Sequence, residues 1–246
     1  SGLGRMSANF HSIIRHNLCR GKYRFARRPI LINNWEATYF DFNEEKILSI
    51  ARQASELGIE MLVLDDGWFG SRDSDDAGLG DWFVNTDKLK GGLADLVRGI
   101  NGLGMKFGIW IEPEMVNEDS CIYREHPDWA LTIPGRKPCR SRNQLVLDMS
   151  RSDVRDYIFD SISAVLKSAN VEYVKWDMNR SICDIYSAAL PKERQGEVYH
   201  RYVLGVYDLM ERFTSTFPDI LFEGCSGGGG RFDPAILYYS PQIWCS

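Results

Sequence analysis

Histidine is scarce in this chain, and no histidine sits where metal chemistry would need it. The four residues, His11, His16, His126 and His200, form no HExxH and no close pair with a carboxylate, which excludes the common zinc patterns. The six cysteines, Cys19, Cys121, Cys139, Cys183, Cys225 and Cys245, include no C-x-x-C spacing. In a chain of this size they read as free thiols of a reducing, cytoplasmic compartment. No apolar run approaches the ~18 residues of a membrane span, and the start, SGLGRMSANF, has no signal-peptide core. That start also lacks an initiator Met, which suggests an excerpt of a longer protein. There is no GxGxxG opening a helix and no Gly-Lys-Ser/Thr after a Gly-rich turn, so neither dinucleotide nor P-loop binding is indicated. Net charge is −5. A polyanionic partner such as nucleic acid is therefore disfavoured, and a neutral small molecule suits better. No cofactor is implied.

What remains is an ordinary soluble composition in 246 residues, with 44% hydrophobic and 26% charged residues. A (β/α)8 barrel takes about 250 residues. Apolar strand-like runs alternate with amphipathic runs. The strands are read at ILINNW (30–35), MLVLDD (61–66), KFGIWIE (106–112), LVLDM (145–149), EYVKWD (172–177), ILFEGCS (220–226) and QIWCS (242–246). Asn43 caps a helix over 44–57 that stops at Gly58. A second helix spans 93–104. Ser152 caps a third over 153–169, and a fourth lies around 197–214. Residues 67–90 are a long Gly- and Asp-rich loop. Helices between strands running one way imply a parallel sheet. Polar residues recur at strand ends, at Asn33-Asn34-Trp35, Asp65-Asp66, Glu112, Asp148, Asp177 and Glu223 to Cys225. A barrel gathers such ends around one mouth, whereas an open sheet offers only a crevice. The expectation is a TIM-type (β/α)8 barrel over 29–246, incomplete because it ends in strand seven, preceded by a connector over 1–28.

Four segments and two tryptophans could carry chemistry. In YVKWDMNR (173–180) alternation puts Lys175 and Asp177 on one side of a strand and Trp176 on the other. A Lys⁺ two residues away favours the charged form of a carboxylate, and an ionised carboxylate can attack an anomeric carbon. A rim ion pair with no catalytic part accounts for the spacing equally well. Asp65-Asp66 ends a buried run, a costly arrangement unless sugar hydroxyls, a cation or a loop cap satisfies it. Glu112-Pro113-Glu114 reads the same way. Trp35 and Trp110 either stack on a pyranose or pack a core. In CSGGGGRF (225–232) the glycines permit close backbone approach or simply a turn.

Taken together, RPILINNWEATYFDF (28–42), LVLDDGWFG (62–70), LGDW (79–82), GIWIEPEMVN (108–117), HPDW (126–129), YVKWDMNR (173–180) and FEGCSGGGGRFD (222–233) resemble the bacterial α-galactosidases (melibiases) of glycoside hydrolase family 36. They run in the family's order over nearly the whole chain. The resemblance implies a barrel flanked by an N-terminal β-sandwich and a C-terminal β domain. It implies Asp177 as nucleophile and Lys175 and Asn179 as substrate-binding residues. Asp65 and Asp66 would hold galactose hydroxyls, with Trp35 and Trp110 lining the pocket. Arg142 matches a substrate-binding arginine on a shorter stretch, and Cys225, Gly227 and Gly228 match a loop touching the sugar. The implied reaction is retaining release of terminal α-galactose from melibiose, raffinose or stachyose, through a galactosyl-Asp intermediate. The family's acid/base Asp would follow PQIW-x-S, at the position after Ser246. The excerpt by itself is thus expected to be inactive and the parent protein active. Homo-oligomers, often tetramers, are implied too. Transglycosylation, a Schiff-base aldolase using Lys175 and a non-catalytic sugar-binding barrel are the rival readings.

Overall fold

The computed structural model describes residues 2–245. The chain opens with α1 (Leu3–Ile13), whose C-terminal end continues through Ile14–Leu18 as a π-helical turn. Arg20 fastens this segment to the body. Its guanidinium pairs with Glu211 and stacks on the Tyr238 ring at 3.9 Å. The first strand, β1 (Leu31–Asn33), leads into a single turn, α2 (Trp35–Thr38), and then α3 (Glu44–Glu56). Asn43 caps α3 as expected, its side chain accepting from the Lys46 N–H at 2.9 Å. Next come β2 (Met61–Leu64), the loop over 67–90, α4 (Gly92–Gly102) and β3 (Lys106–Ile111). The loop carries no helix and no multi-residue strand, yet it buries Trp68, Phe69, Leu79, Trp82 and Leu89. Large apolar side chains hold it in place of a backbone ladder.

The chain then makes β4 (Met115–Val116), α5 (Cys121–Glu125), β5 (Leu145–Val146) and α6 (Ser152–Ser168). The core strand β6 (Tyr173–Trp176) follows, then α7 (Val198–Thr216), β7 (Leu221–Gly224), α8 (Pro234–Tyr239) and β8 (Gln242–Ile243). Ser246, the last residue of the expected QIWCS strand, lies outside the described residues. The main sheet is parallel, six-stranded, in the order β1-β2-β3-β6-β7-β8. This is the half-barrel expected of an incomplete TIM-like fold.

One expected strand is not in it. Residues 145–149 do not form a fourth parallel strand. Leu145–Val146 pairs antiparallel with Met115–Val116, and β3 pairs directly with β6. The run is apolar and buried, as a sheet strand would be. A short apolar run does not say which partner it will take. Ser152 is also not a cap: it is the first helical residue of α6, and Arg151 stands at the cap position without a capping side chain.

Alternation divides the sheet into two faces. Leu62, Leu64, Ile109, Ile111, Val174, Trp176 and Phe222 join the large core under the helices. Met61, Val63, Tyr173 and Leu221 form a separate small cluster on the other face, with Tyr23 and Leu31 against it. Gly108 makes room there, because a Cβ at that position would lie 2.5 Å from Tyr173 Cδ1. Backbone proximity is closer still where α7 crosses the end of the β5 segment. A Cβ on Gly205 would lie 1.8 Å from the Met149 carbonyl oxygen. Gly205→Ala must therefore push backbone from backbone. It is expected to cost about 2–3 kcal/mol, read as a lower urea midpoint at unchanged slope, whereas Gly196→Ala, with nothing near it, should cost far less.

Candidate active site

The C-terminal ends of β1, β2, β3, β6 and β7 deliver their polar residues to one region. Register explains the convergence, since Trp110 on β3 is level with Lys175 on β6, which is level with Glu223 on β7. Parallel neighbours at the same level point to the same side.

Asp177 follows β6 and is buried. Its Oδ2 accepts from the Trp110 indole N–H at 3.1 Å, and its Oδ1 accepts from the Met178 backbone N–H at 2.9 Å. One donor on each oxygen fixes the plane of the carboxylate. Lys175 Nζ donates to Asp65 Oδ2 at 3.0 Å, both side chains being almost wholly buried. Burial opposes the ammonium charge, but the carboxylates of Asp65 and Asp177 outweigh it and raise the Lys175 pKa. Asp65 also accepts from the Asn33 side chain, and its backbone N–H donates to Asn34 Oδ1 at 2.7 Å. Trp176 points to the opposite face, where its indole donates to Glu114 at 3.0 Å. The expected alternation of this strand thus holds.

Asp66 sits differently from its neighbour. Arg72 grips it in a two-pronged pair at 2.9 and 2.8 Å, and Arg72 is itself 1% exposed. Even so, burial raises the Asp66 carboxyl above the usual range. Both of its oxygens already have a strong donor, so any hold on a ligand would use remaining lone pairs. Arg72 comes from the loop over 67–90 and was not among the expected residues.

Glu112 lies fully buried beside this group. It accepts from the Gln144 amide at 2.9 Å and from the Asn179 backbone N–H. Burial and the nearby Asp177 push its carboxyl up to about 8. At neutral pH Glu112 is then mostly protonated and adds no second full charge next to Asp177. The Cys225 thiol is pushed up to about 12, by burial and by Asp177, so it stays protonated. The Gly228 N–H donates to its sulfur at 3.5 Å. Gly227 and Gly228 take φ of 53° and 93°, the left-handed region that glycine occupies freely. Arg231 ends this loop and ties it down through Glu114 Oε1 at 2.7 Å.

The remaining candidates differ in how far they are enclosed. Trp35 is half-buried and wedged edge-on between Tyr39 and Phe40 at 5.2 and 5.1 Å. Trp110 is 2% exposed, so it meets the site through its N–H while its ring stacks on Phe69. Asn179 is half-buried. Arg142 is exposed in a turn with φ of 52°, and no hydrogen bond joins it to the Asp177 group among the described residues. Asp148 does not join that group either. It anchors Ser150 and Ser187 instead. Trp244, which the sequence reading did not single out, places its ring 4.4 Å from Lys175 Nζ. Among the described residues no cluster of His, Cys, Asp and Glu could hold a metal.

A family model described as Melibiase matches residues 1–246. The chain belongs to the melibiase family. The chain is 62% identical to the α-galactosidase AgaA of Geobacillus stearothermophilus over 245 residues, covering 100% of the chain and 34% of AgaA. It is 57% identical to α-galactosidase 1 of Pediococcus pentosaceus, covering 33% of that protein. The crystal structure of AgaA, a family 36 enzyme, superposes with a TM-score of 0.98. Variants of AgaA, also at 0.98, are solved in complex with raffinose and with stachyose. The chain spans about a third of the length of the curated relatives it matches.

Proposed function

We propose that this chain carries the nucleophile of a retaining α-galactosidase acting on raffinose-type sugars, within a (β/α)8 barrel. The observation that carries the reading is the Asp177 carboxylate, held at a strand end by one N–H on each oxygen. A nucleophile must be fixed in line with the anomeric carbon, and a carboxylate that cannot rotate is already paid for in entropy. Asp65 supplies oxygens for sugar hydroxyls while Lys175 balances its charge. Glu112, mostly neutral, orients Asn179 without competing with Asp177. Trp35 offers an indole for the apolar face of the ring. The complexes of AgaA with raffinose and stachyose support the substrate class. The acid/base that the mechanism also needs is assigned, on the family resemblance, to the position after Ser246.

Lys175 speaks against the Schiff-base reading. An amine nucleophile is prepared by a lowered pKa, and this one is ion-paired with its pKa raised. Stereochemistry tests the proposal directly. When the full-length protein cleaves an aryl α-galactoside inside an NMR tube, α-galactose is expected first, with the β anomer growing in only by mutarotation. Release of β-galactose first would exclude a galactosyl-Asp177 intermediate.

A further inference from the structure

Cys139 and Cys183 are brought together from two loops. Both are exposed, so neither sulfur serves the core, and nothing in the α-galactosidase reading uses them. The neighbouring Cys183 thiol raises the Cys139 pKa. Two backbone anchors hold them there independently. The Cys139 N–H donates to Asp184 Oδ2 at 2.7 Å, and the Cys139 carbonyl accepts from the Arg180 guanidinium at 2.8 Å. Arg180 and Asp184 bracket Cys183 in sequence. The Cys139 backbone is therefore pinned to the segment that carries the other sulfur, whatever the thiols do. Cys225, by contrast, is buried and stays protonated, which makes it inert.

We propose that Cys139 and Cys183 form a reversible disulfide that clamps the 139–144 turn to the 180–187 loop at the rim of the candidate site. The oxidant is a low-molecular-weight disulfide of the glutathione class. One protein thiolate attacks a sulfur of that disulfide, and a glutathione thiolate leaves, giving a mixed disulfide. The second protein thiolate then attacks the protein sulfur of the mixed disulfide, and the second glutathione leaves. Two protein S–H bonds and one glutathione S–S bond become one protein S–S bond and two glutathione thiols, which take up both protons. Excess thiol reverses each step. Intracellular disulfides of this transient kind are redox-sensing rather than structural.

The clamp joins the site through named contacts. Within the 139–144 turn, Gln144 donates to Glu112, and Arg142 stands in the left-handed region. In the opposite loop, Arg180 donates to the Gln144 carbonyl and Ser187 to Asp148. Covalent closure restricts the turn and lowers the ordering needed for Arg142 to meet a sugar. This consequence, unlike the disulfide itself, rests on the α-galactosidase reading.

The test treats the full-length protein with oxidised glutathione, alkylates the remaining thiols and maps peptides by mass spectrometry. A reducible Cys139–Cys183 peptide is expected, with both sites lost to alkylation together. Cys139→Ser and Cys183→Ser should each stop at a glutathione adduct on the surviving cysteine. Wild-type protein in which both cysteines stay alkylatable, or in which each carries its own glutathione, overturns the pair. In kinetics, oxidation should lower KM for raffinose by about threefold with kcat little changed, and dithiothreitol should restore it. A cross-link that forms without moving KM overturns its connection to the site. Absence of turnover in both redox states would count against the α-galactosidase reading instead, and the peptide map would still decide the dithiol.

Discussion

Asp177→Ala in the full-length protein is expected to lower kcat/KM for an aryl α-galactoside by about 10³-fold or more, as removal of a group that forms the covalent intermediate does. KM should change little, because Asp65, Lys175 and Trp35 still present the same contacts to the sugar. The residue is buried and accepts two hydrogen bonds, so Ala also leaves the Trp110 indole N–H without its partner. Inactivity alone would then not separate a missing nucleophile from a disturbed site. Azide separates them. A small anion can occupy the space vacated by the carboxylate and attack the same face of the anomeric carbon. Turnover of the Ala variant should recover with azide and yield β-galactosyl azide. The nucleophile assignment would not survive undiminished turnover by the variant, nor an α-configured azide product.

The positions of Asp177, Lys175 and Asp65 were legible because each depends only on strand periodicity. An apolar run ends, side chains alternate, and a parallel sheet sets those ends level. β2, β3, β6 and β7 follow from that rule. Leu145–Val146 does not, because its partner is chosen by where Met115–Val116 arrives after the turn at Glu112-Pro113-Glu114, a tertiary event. The same holds for Arg72. Nothing local in SRDSDD says that its guanidinium folds back six residues to fill both oxygens of Asp66. Glu112 illustrates a third kind of gap. Its place at a strand end could be read, but its raised pKa follows from complete burial beside Asp177, which no spacing encodes. Trp244 over Lys175 and the Cys139 N–H on Asp184 likewise join segments distant in sequence. The motifs located the chemistry, and loop closure determined its electrostatics.

The second large effect belongs to the buried pair beneath the nucleophile. Lys175→Met keeps most of the side-chain volume and removes the charge. It leaves Asp65 buried without the ammonium it faces at 3.0 Å, and it removes the cation from the Trp244 ring. Breaking a buried pair from one side costs about 3–5 kcal/mol, so the urea midpoint should fall sharply. Activity should fall too, by about 10²-fold in kcat/KM, since a misplaced Asp65 no longer holds the sugar in line with Asp177. The informative variant is the double one. Asp65→Asn with Lys175→Met removes both charges and should regain much of the stability lost by Lys175→Met alone, because no unpaired carboxylate remains. It should regain none of the activity. Stability then recovers across the cycle while catalysis does not, which a merely structural pair would not produce. A double variant no more stable than Lys175→Met, or one that recovers turnover with its stability, would mean that Asp65 and Lys175 do not act as a pair in gripping the substrate.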